Sequence, residues 1–287
     1  MNGWTGTILR VNLTTRAVKR EPLDPRLARL YIGGRGLGAR YLTDEVDPQV
    51  DPLGPDNKLI FASGPLTGTF APSSGRYMVI TKAPLNNVLA SSNSGGHFGP
   101  ELKFAGYDML IVEGRAEQPV YLWIKDDQVE IREARHLWGK TVPDVTDALR
   151  AETDEDARVA CIGPAGEKLV LFASIMNDMQ RAAGRSGVGA VMGSKNLKAV
   201  AVLGSGSVKV ADRDVFLAAV LKARRLIHEH PVGGAGLKAY GTDVLVNILN
   251  EVGGLPANNF RTGYFAAANN PGGETLTAKY LTRPGGC

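Results

Sequence analysis

The 287-residue chain has few of the residues that build disulfide scaffolds and metal sites: two cysteines and four histidines. Cys161 and Cys287 are too few for a disulfide framework, so a reducing cytoplasm is the expected compartment. Cys161 lies between Ala160 and Ile162, the setting of a buried strand cysteine. His97, His136, His228 and His230 show no metal-ligand spacing with each other or with cysteine. No apolar run reaches the roughly 18 residues of a membrane span, and none is expected. The opening Met-Asn-Gly-Trp-Thr-Gly lacks a basic stretch followed by an apolar one, so no signal peptide is expected. A net charge of +4 is too small and too dispersed for a nucleic-acid surface. Gly-x-Ser-x-Gly is absent, and Ser94 has no placeable histidine and acid, which removes the usual nucleophilic constellation.

Acidic residues are missing from two long windows. Asp and Glu make up 29 of the 287 residues, yet Met179–Ala211 and Asn57–Pro100 contain none, where about three and about four would be expected. The first window holds the run Arg181-Ala-Ala-Gly-Arg-Ser-Gly-Val-Gly-Ala-Val-Met-Gly-Ser-Lys195. The second holds Lys58, Arg76, Lys82 and His97, with the turns Pro72-Ser-Ser-Gly-Arg76 and Ser91-Ser-Asn-Ser-Gly-Gly96. Glycine lets backbone N–H groups approach a phosphate, arginine grips it with two donors, and carboxylates would repel it. Ordinary turns between apolar strands would look similar, but two such windows, each with an arginine in a Gly/Ser turn, favour one shared polyanionic ligand. Named phosphate motifs do not apply. Gly189–Lys195 misses the P-loop spacing, and Gly34-Arg-Gly-Leu-Gly-Ala39 follows a helical pattern rather than the strand of a dinucleotide fold. Gly33–Gly38 reads equally well as a tight packing turn or a ligand contact.

Alternation predicts strands at Thr7–Leu13, Ala17–Glu21, Lys58–Ser63, Tyr77–Lys82, Asp108–Gly114, Arg158–Gly163, Leu169–Ile175, Val200–Leu203 and Ser207–Val210. Val120–Lys125 and Gln128–Glu133 form a hairpin across Asp126-Asp127. Asp24 caps a short helix, and Val142–Thr153 is amphipathic. From Asp212 the pattern turns helical. The expected division is residues 1–210, β-rich, and 211–287, the start of a helical domain.

Several stretches, in order along the chain, resemble the tungsten-containing aldehyde ferredoxin oxidoreductases. They are Gly33-Gly-Arg-Gly-Leu-Gly38, Ser74-Gly-Arg-Tyr77, Ala90–Gly96, Arg181–Arg185 with Gly189–Lys195, and Leu255-Pro-Ala-Asn-Asn-Phe-Arg261. The resemblance implies an α+β fold whose N-terminal domain is a pair of β-sheets forming a base for a bis-pterin cofactor of tungsten or molybdenum. It implies pterin contacts at Arg76, Asn93, Gly95, Arg181, Ala182, Ala183, Gly184 and Arg185. Magnesium would join the pterin phosphates, held by backbone carbonyls of Asn93 and of Ala182 or Ala183. Cys287 would be the first ligand of a [4Fe-4S] cluster. The implied reaction is oxidation of an aldehyde to a carboxylic acid with electrons passed to ferredoxin, by an enzyme expected to be oligomeric. No catalytic side chain is assigned, because the family's remaining cluster cysteines and the groups near its metal follow Cys287; the chain is expected to be the N-terminal part of a longer one. Two alternatives stay open. One is a relative that reduces an aromatic acyl-thioester or acts on sugar aldehydes. The other is a non-catalytic domain that binds pterin or another phosphorylated molecule.

Overall fold

The structure is a computed structural model and describes residues 1–282. The chain divides into two compact units, Met1–Asp212 and Arg213–Cys287.

The first unit is built on two six-stranded sheets. The first contains β1 (Thr7–Asn12), β2 (Ala17–Pro22), β3 (Leu59–Ser63), β4 (Tyr77–Lys82), β5 (Leu89–Ser94) and β6 (Met109–Glu113), in the order β2-β1-β6-β3-β4-β5. The second contains β7 (Val120–Lys125), β8 (Gln128–Glu133), β9 (Arg158–Cys161), β10 (Ile175–Asn177), β11 (Arg181–Ala183) and β12 (Leu197–Leu203), in the order β11-β10-β9-β12-β7-β8. Both sheets are mixed: β1–β6 and β7–β12 pair in parallel, the other neighbours antiparallel.

Strand alternation sorts the side chains into layers. Along β3, Leu59 and Phe61 enter the large cluster shared by both sheets, while Ile60 and Ala62 join a second cluster with Leu37 and Leu42 of helix α2. Along β7, Leu122 and Ile124 face the shared core, while Tyr121 and Trp123 meet Val145 and Leu149. The order of layers is therefore helix, sheet, sheet, helix. Each fully buried large aliphatic contributes roughly 1.5–3 kcal/mol. Helix α1 (Pro25–Tyr31) begins as expected, with the Asp24 carboxylate accepting from the Arg26 N–H. Helix α2 (Gly34–Glu45) begins within the glycine run read as a turn. The glycines let it lie close to its neighbours: a Cβ at Gly38 would sit 2.5 Å from Ile80 Cδ1, and one at Gly33 would sit 2.8 Å from the Ser63 carbonyl. Helices α3 (Phe98–Phe104), α4 (Val142–Glu152), α5 (Pro164–Glu167) and α6 (Val188–Ser194) complete the unit.

Two expected strands do not form. Of Leu169–Ile175, only Ile175 is in a strand; Leu169 takes a left-handed φ of 57°, and Phe172 is 74% exposed. Their apolarity belongs to a surface turn, not to a ladder. Ser207–Val210 has no strand partner and runs as irregular chain, with the Lys209 carbonyl accepting from Gly3 N–H at 2.7 Å.

The second unit is helical through α7 (Arg213–Glu229), α8 (Leu237–Tyr240), α9 (Val244–Glu251) and α10 (Gly273–Lys279), with an isolated antiparallel bridge between Ala257 and Thr262.

Candidate functional site

Two edge strands bring the acid-free windows together. β5 ends one sheet and β11 ends the other, and they lie side by side. In β5, Ser92 and Ser94 are buried, while Ser91 and Asn93 alternate to the other face. Ser92 Oγ accepts from the Arg185 backbone N–H at 2.9 Å, which ties the later part of one window to the early part of the other.

The turn after β5 is held from below by Asn177. Its side-chain oxygen accepts from Tyr77 Oη at 3.1 Å and Ser94 Oγ at 2.6 Å, and its Nδ2 donates to the Gly95 carbonyl at 2.9 Å. Burial pushes the Tyr77 phenol well above its ordinary value, so it stays a neutral donor. Asp178 accepts from His97 N–H at 2.6 Å and Asn177 Nδ2 at 2.9 Å. Sequence reasoning missed both residues. The available signal was their place: a polar Asn-Asp pair closing an apolar strand, one residue before the acid-free window opens.

Apart from the exposed Lys209, the lysines and arginines of the two windows differ in their surroundings. Lys195 is fully buried, and its Nζ donates to the carbonyls of Asn57 at 2.5 Å, Gly114 at 3.0 Å and Pro55 at 3.3 Å. Burial lowers its pKa to about 8. Lys198, also buried, pairs with Glu167. Lys58 pairs with Glu45 and Glu113, and Lys82 donates to the Pro48 and Val50 carbonyls. None of these four lysines is placed to meet a ligand. The arginines differ: Arg76, Arg181 and Arg185 are all exposed. Arg76 donates to the Asn93 side-chain carbonyl.

The glycines separate as well. In the Arg181–Lys195 run, a Cβ at Gly187, Gly189 or Gly193 would collide with the carbonyls of Leu171, Ser174 or Gly166, so these three serve packing around α6. Gly95 has nothing within 4 Å of a built Cβ, and Gly184 has only Ala182 Cβ at 3.8 Å. The part of the run that packing leaves open is therefore Arg181–Arg185, in which Ala183 is buried and the other four residues are exposed. Ala182 and Ala183 pair with Met176 and Ile175 in the β10–β11 hairpin.

A cavity of about 420 Å3 opens beside Asn93, lined among others by Gly33, Gly34, Arg35, Arg76 and Met78. Helix α2 begins at this wall without a side-chain cap and without an acid in its first turn. Arg35, which sequence reasoning left unassigned, donates from Nε to Ser91 Oγ at 3.0 Å. Among the described residues, no ion pair is recorded for Arg35 or Arg76. A phosphorylated ligand fits such a rim: exposed guanidinium groups, open glycines and, among the described residues, no ion pair at Arg35 or Arg76.

The remaining candidates for chemistry are accounted for. No group of three or more His, Cys, Asp or Glu side chains that could hold a metal ion occurs among the described residues. His136 bonds Glu152 at 2.7 Å, and His230 Nδ1 accepts from Gly233 N–H at 2.9 Å. Cys161 is buried, and burial pushes its thiol up to about 11, which leaves it protonated and inert. Cys287, expected as a cluster ligand, lies outside the described residues. Among the described residues, no helix is long and apolar enough to cross a membrane.

Comparison with known proteins identifies the family of the chain. Residues 8–204 match the family model for the aldehyde ferredoxin oxidoreductase N-terminal domain, and residues 218–287 match that for domains 2 and 3. The whole chain is 54% identical to the tungsten-containing aldehyde ferredoxin oxidoreductase of Pyrococcus furiosus, covering 48% of that protein. It is 39% identical, over 75% of its length, to the WOR-like subunit of an aliphatic sulfonate oxidoreductase from the same organism, covering 37% of that subunit. Among solved structures, it resembles the active-site complex BamBC of benzoyl coenzyme A reductase in complex with 1,5-dienoyl-CoA. The TM-score is 0.84 at 36% identity, covering 98% of this chain and 45% of the other. The chain thus spans about half the length of the relatives it matches. With two matching domain models in order and this degree of identity, the chain belongs to the aldehyde ferredoxin oxidoreductase family.

Proposed function

We propose that this chain is the cofactor-binding portion of a cytoplasmic oxidoreductase. The whole enzyme oxidises an aldehyde to a carboxylic acid at a tungsten bis-pterin centre and passes the electrons through a [4Fe-4S] cluster to ferredoxin. One observation carries the reading: β5 and β11 join two acid-free, arginine-bearing segments into a single rim. The higher identity to aldehyde enzymes than to the sulfonate or benzoyl coenzyme A enzymes supports the aldehyde as substrate class.

When bound, the metal centre supplies the two-electron redox chemistry, and the protein binds and orients it. Arg76 and the Arg181–Arg185 segment contact the pterins and their phosphates. Gly95 and Gly184 leave room for close approach. The backbone carbonyls of Asn93 and of Ala182 or Ala183 would hold magnesium. Asn177 fixes the turn that carries these groups, so the rim needs little rearrangement on binding. Residues 1–210 serve as the cofactor base, 211–287 begin the helical domain, and Cys287 is the first cluster ligand. No side chain of the rim is assigned to move a proton.

Elemental and pterin analysis of the intact protein carrying this chain tests the proposal. The expected result is tungsten or molybdenum with pterin and iron in the proportions of one bis-pterin centre and one cluster. A folded protein from tungsten-supplied cells that holds pterin but no metal and no iron would instead be a non-catalytic pterin-binding protein.

A further inference from the structure

Arg35 and Arg76 enter one cavity, and the two are held alike. Ser91 and Asn93 are two residues apart on β5, so they share a face, with anchor points about 7 Å apart along the strand. Ser91 Oγ accepts from Arg35 Nε at 3.0 Å, and the Asn93 side-chain carbonyl accepts from Arg76 Nη1. Both anchors rest on the same thioether: Met78 Sδ accepts from Asn93 Nδ2 at 3.4 Å and from Ser91 Oγ at 3.8 Å. Each guanidinium is thus oriented by a neutral group that leaves its charge uncompensated. The lysines of the same window show what a purely structural cation does here. Lys58 takes two carboxylates, and Lys82 takes two backbone carbonyls.

The placement of Arg35 is built in at some cost. It stands in the first turn of α2, where the helix dipole disfavours a cation. It is flanked by Gly34, which takes a left-handed φ of 49°, and by Gly36, whose Cβ would sit 2.6 Å from the Tyr31 carbonyl. Two guanidinium groups facing one cavity repel each other until an anion lies between them.

We infer that Arg35 is a second arginine contact for a phosphoryl group of the bound cofactor, gripping it from the α2 wall of the cavity that Arg76 also lines, with Ser91 as its positioning residue. This rests on the proposed cofactor reading and extends it to a residue and a wall of the site that the reading does not use. A phosphoryl group offers enough acceptor oxygens for both guanidinium groups, and arginine, unlike lysine, meets it with two parallel donors.

The test compares Arg35→Gln, Arg35→Lys, Ser91→Ala and Arg76→Gln with the parent in the intact protein. Pterin released per chain is measured for protein made with cofactor. Binding of inorganic pyrophosphate is measured by calorimetry for protein made in a host unable to make the pterin. Arg35→Gln is expected to hold about a tenth of the parent pterin and to bind pyrophosphate roughly tenfold more weakly. Arg35→Lys should fall between the two, and Ser91→Ala should show a smaller loss of the same kind. Thermal midpoints of the cofactor-free proteins should stay within a few degrees; where one does not, the Arg35→Lys result decides. Full pterin and unchanged pyrophosphate binding in Arg35→Gln, with both lost in Arg76→Gln, would overturn this inference and leave the cofactor reading standing. If neither arginine affects either quantity, or the parent holds no pterin and binds no pyrophosphate, both fail. Weakened pyrophosphate binding with full pterin content would assign the wall to free phosphate instead of the cofactor, which also overturns the inference.

Discussion

In both acid-free windows the lysines of the strands and their flanks turn inward or pair with acids, with only Lys209, at the end of its window, exposed, while the arginines face outward. Lys58 and Lys82 of the Asn57–Pro100 window, and Lys195 and Lys198 of the Met179–Ala211 window, end on carboxylates or backbone carbonyls. Arg76, Arg181 and Arg185 stand exposed at the junction of β5 and β11. An ammonium is a compact point charge that can gather several carbonyl oxygens at a chain crossing, whereas a guanidinium is a planar fork suited to phosphate. A stretch without acids thus has two uses. Its buried lysines lock the β-rich unit together, and its exposed arginines are the proposed ligand contacts.

That contrast can be broken at several points. Lys195→Met should give the largest stability loss. It leaves the carbonyls of Pro55, Asn57 and Gly114 without their buried donor, at a cost of about 3 kcal/mol measured by urea unfolding. A loss under about 0.5 kcal/mol would mean that Lys195 is not a structural lock.

The glycines sharpen the same division. Gly189→Ala drives a Cβ into the Ser174 backbone and should cost roughly 2–3 kcal/mol. Gly95→Ala meets open space and should leave stability within about 0.5 kcal/mol while lowering pterin content. Equal stability effects for the two would erase the distinction between packing and ligand-facing glycines.

A smaller effect is expected in acid. Arg10 bonds Glu21, Glu45 and Glu113 at 2.9, 2.8 and 2.6 Å, and Lys58 bonds Glu45 and Glu113 at 2.5 and 2.7 Å. Burial alone would raise the Glu45 and Glu113 carboxyls, but hydrogen bonds from Arg10 and Lys58 outweigh it and hold both below the ordinary value of 4.5. Their folded pKa values are lower than the unfolded ones. The stabilisation is therefore complete above the unfolded value and is lost as pH falls through the folded one. The thermal midpoint should be flat down to about pH 5 and fall below about pH 4.5, with a shallower fall in a Glu45→Gln, Glu113→Gln double variant. The same slope in parent and double variant would remove this cluster as the cause.

The apolar strands were legible because their alternation is strong. β1, β3, β4, β6 and the β7–β8 hairpin lie where the pattern puts them. β5 was not legible, because Ser91-Ser-Asn-Ser94 has the composition of a turn; it is a strand because it pairs along β4 from Tyr77↔Ser94 to Lys82↔Leu89. Leu169–Ser174 misled in the opposite direction, with strand-like residues on an exposed turn. At the site, the missing acids pointed to two segments that the fold brings side by side, but composition could not tell a buried Lys195 from an exposed Arg76. That difference is set by which carbonyls lie nearby after the two sheets have packed. Asn177 and Asp178 escaped for the same reason, since their partners Tyr77, Ser94 and His97 lie about eighty to a hundred residues away.

The most direct test of the central claim sets cofactor content against stability in Arg76→Ala and Arg181→Ala variants of the intact protein. Tungsten and pterin per chain should fall about tenfold in both, while the urea-unfolding free energy of cofactor-free Arg76→Ala stays within about 0.5 kcal/mol of the parent. Unchanged tungsten and pterin content in both purified variants would contradict the account.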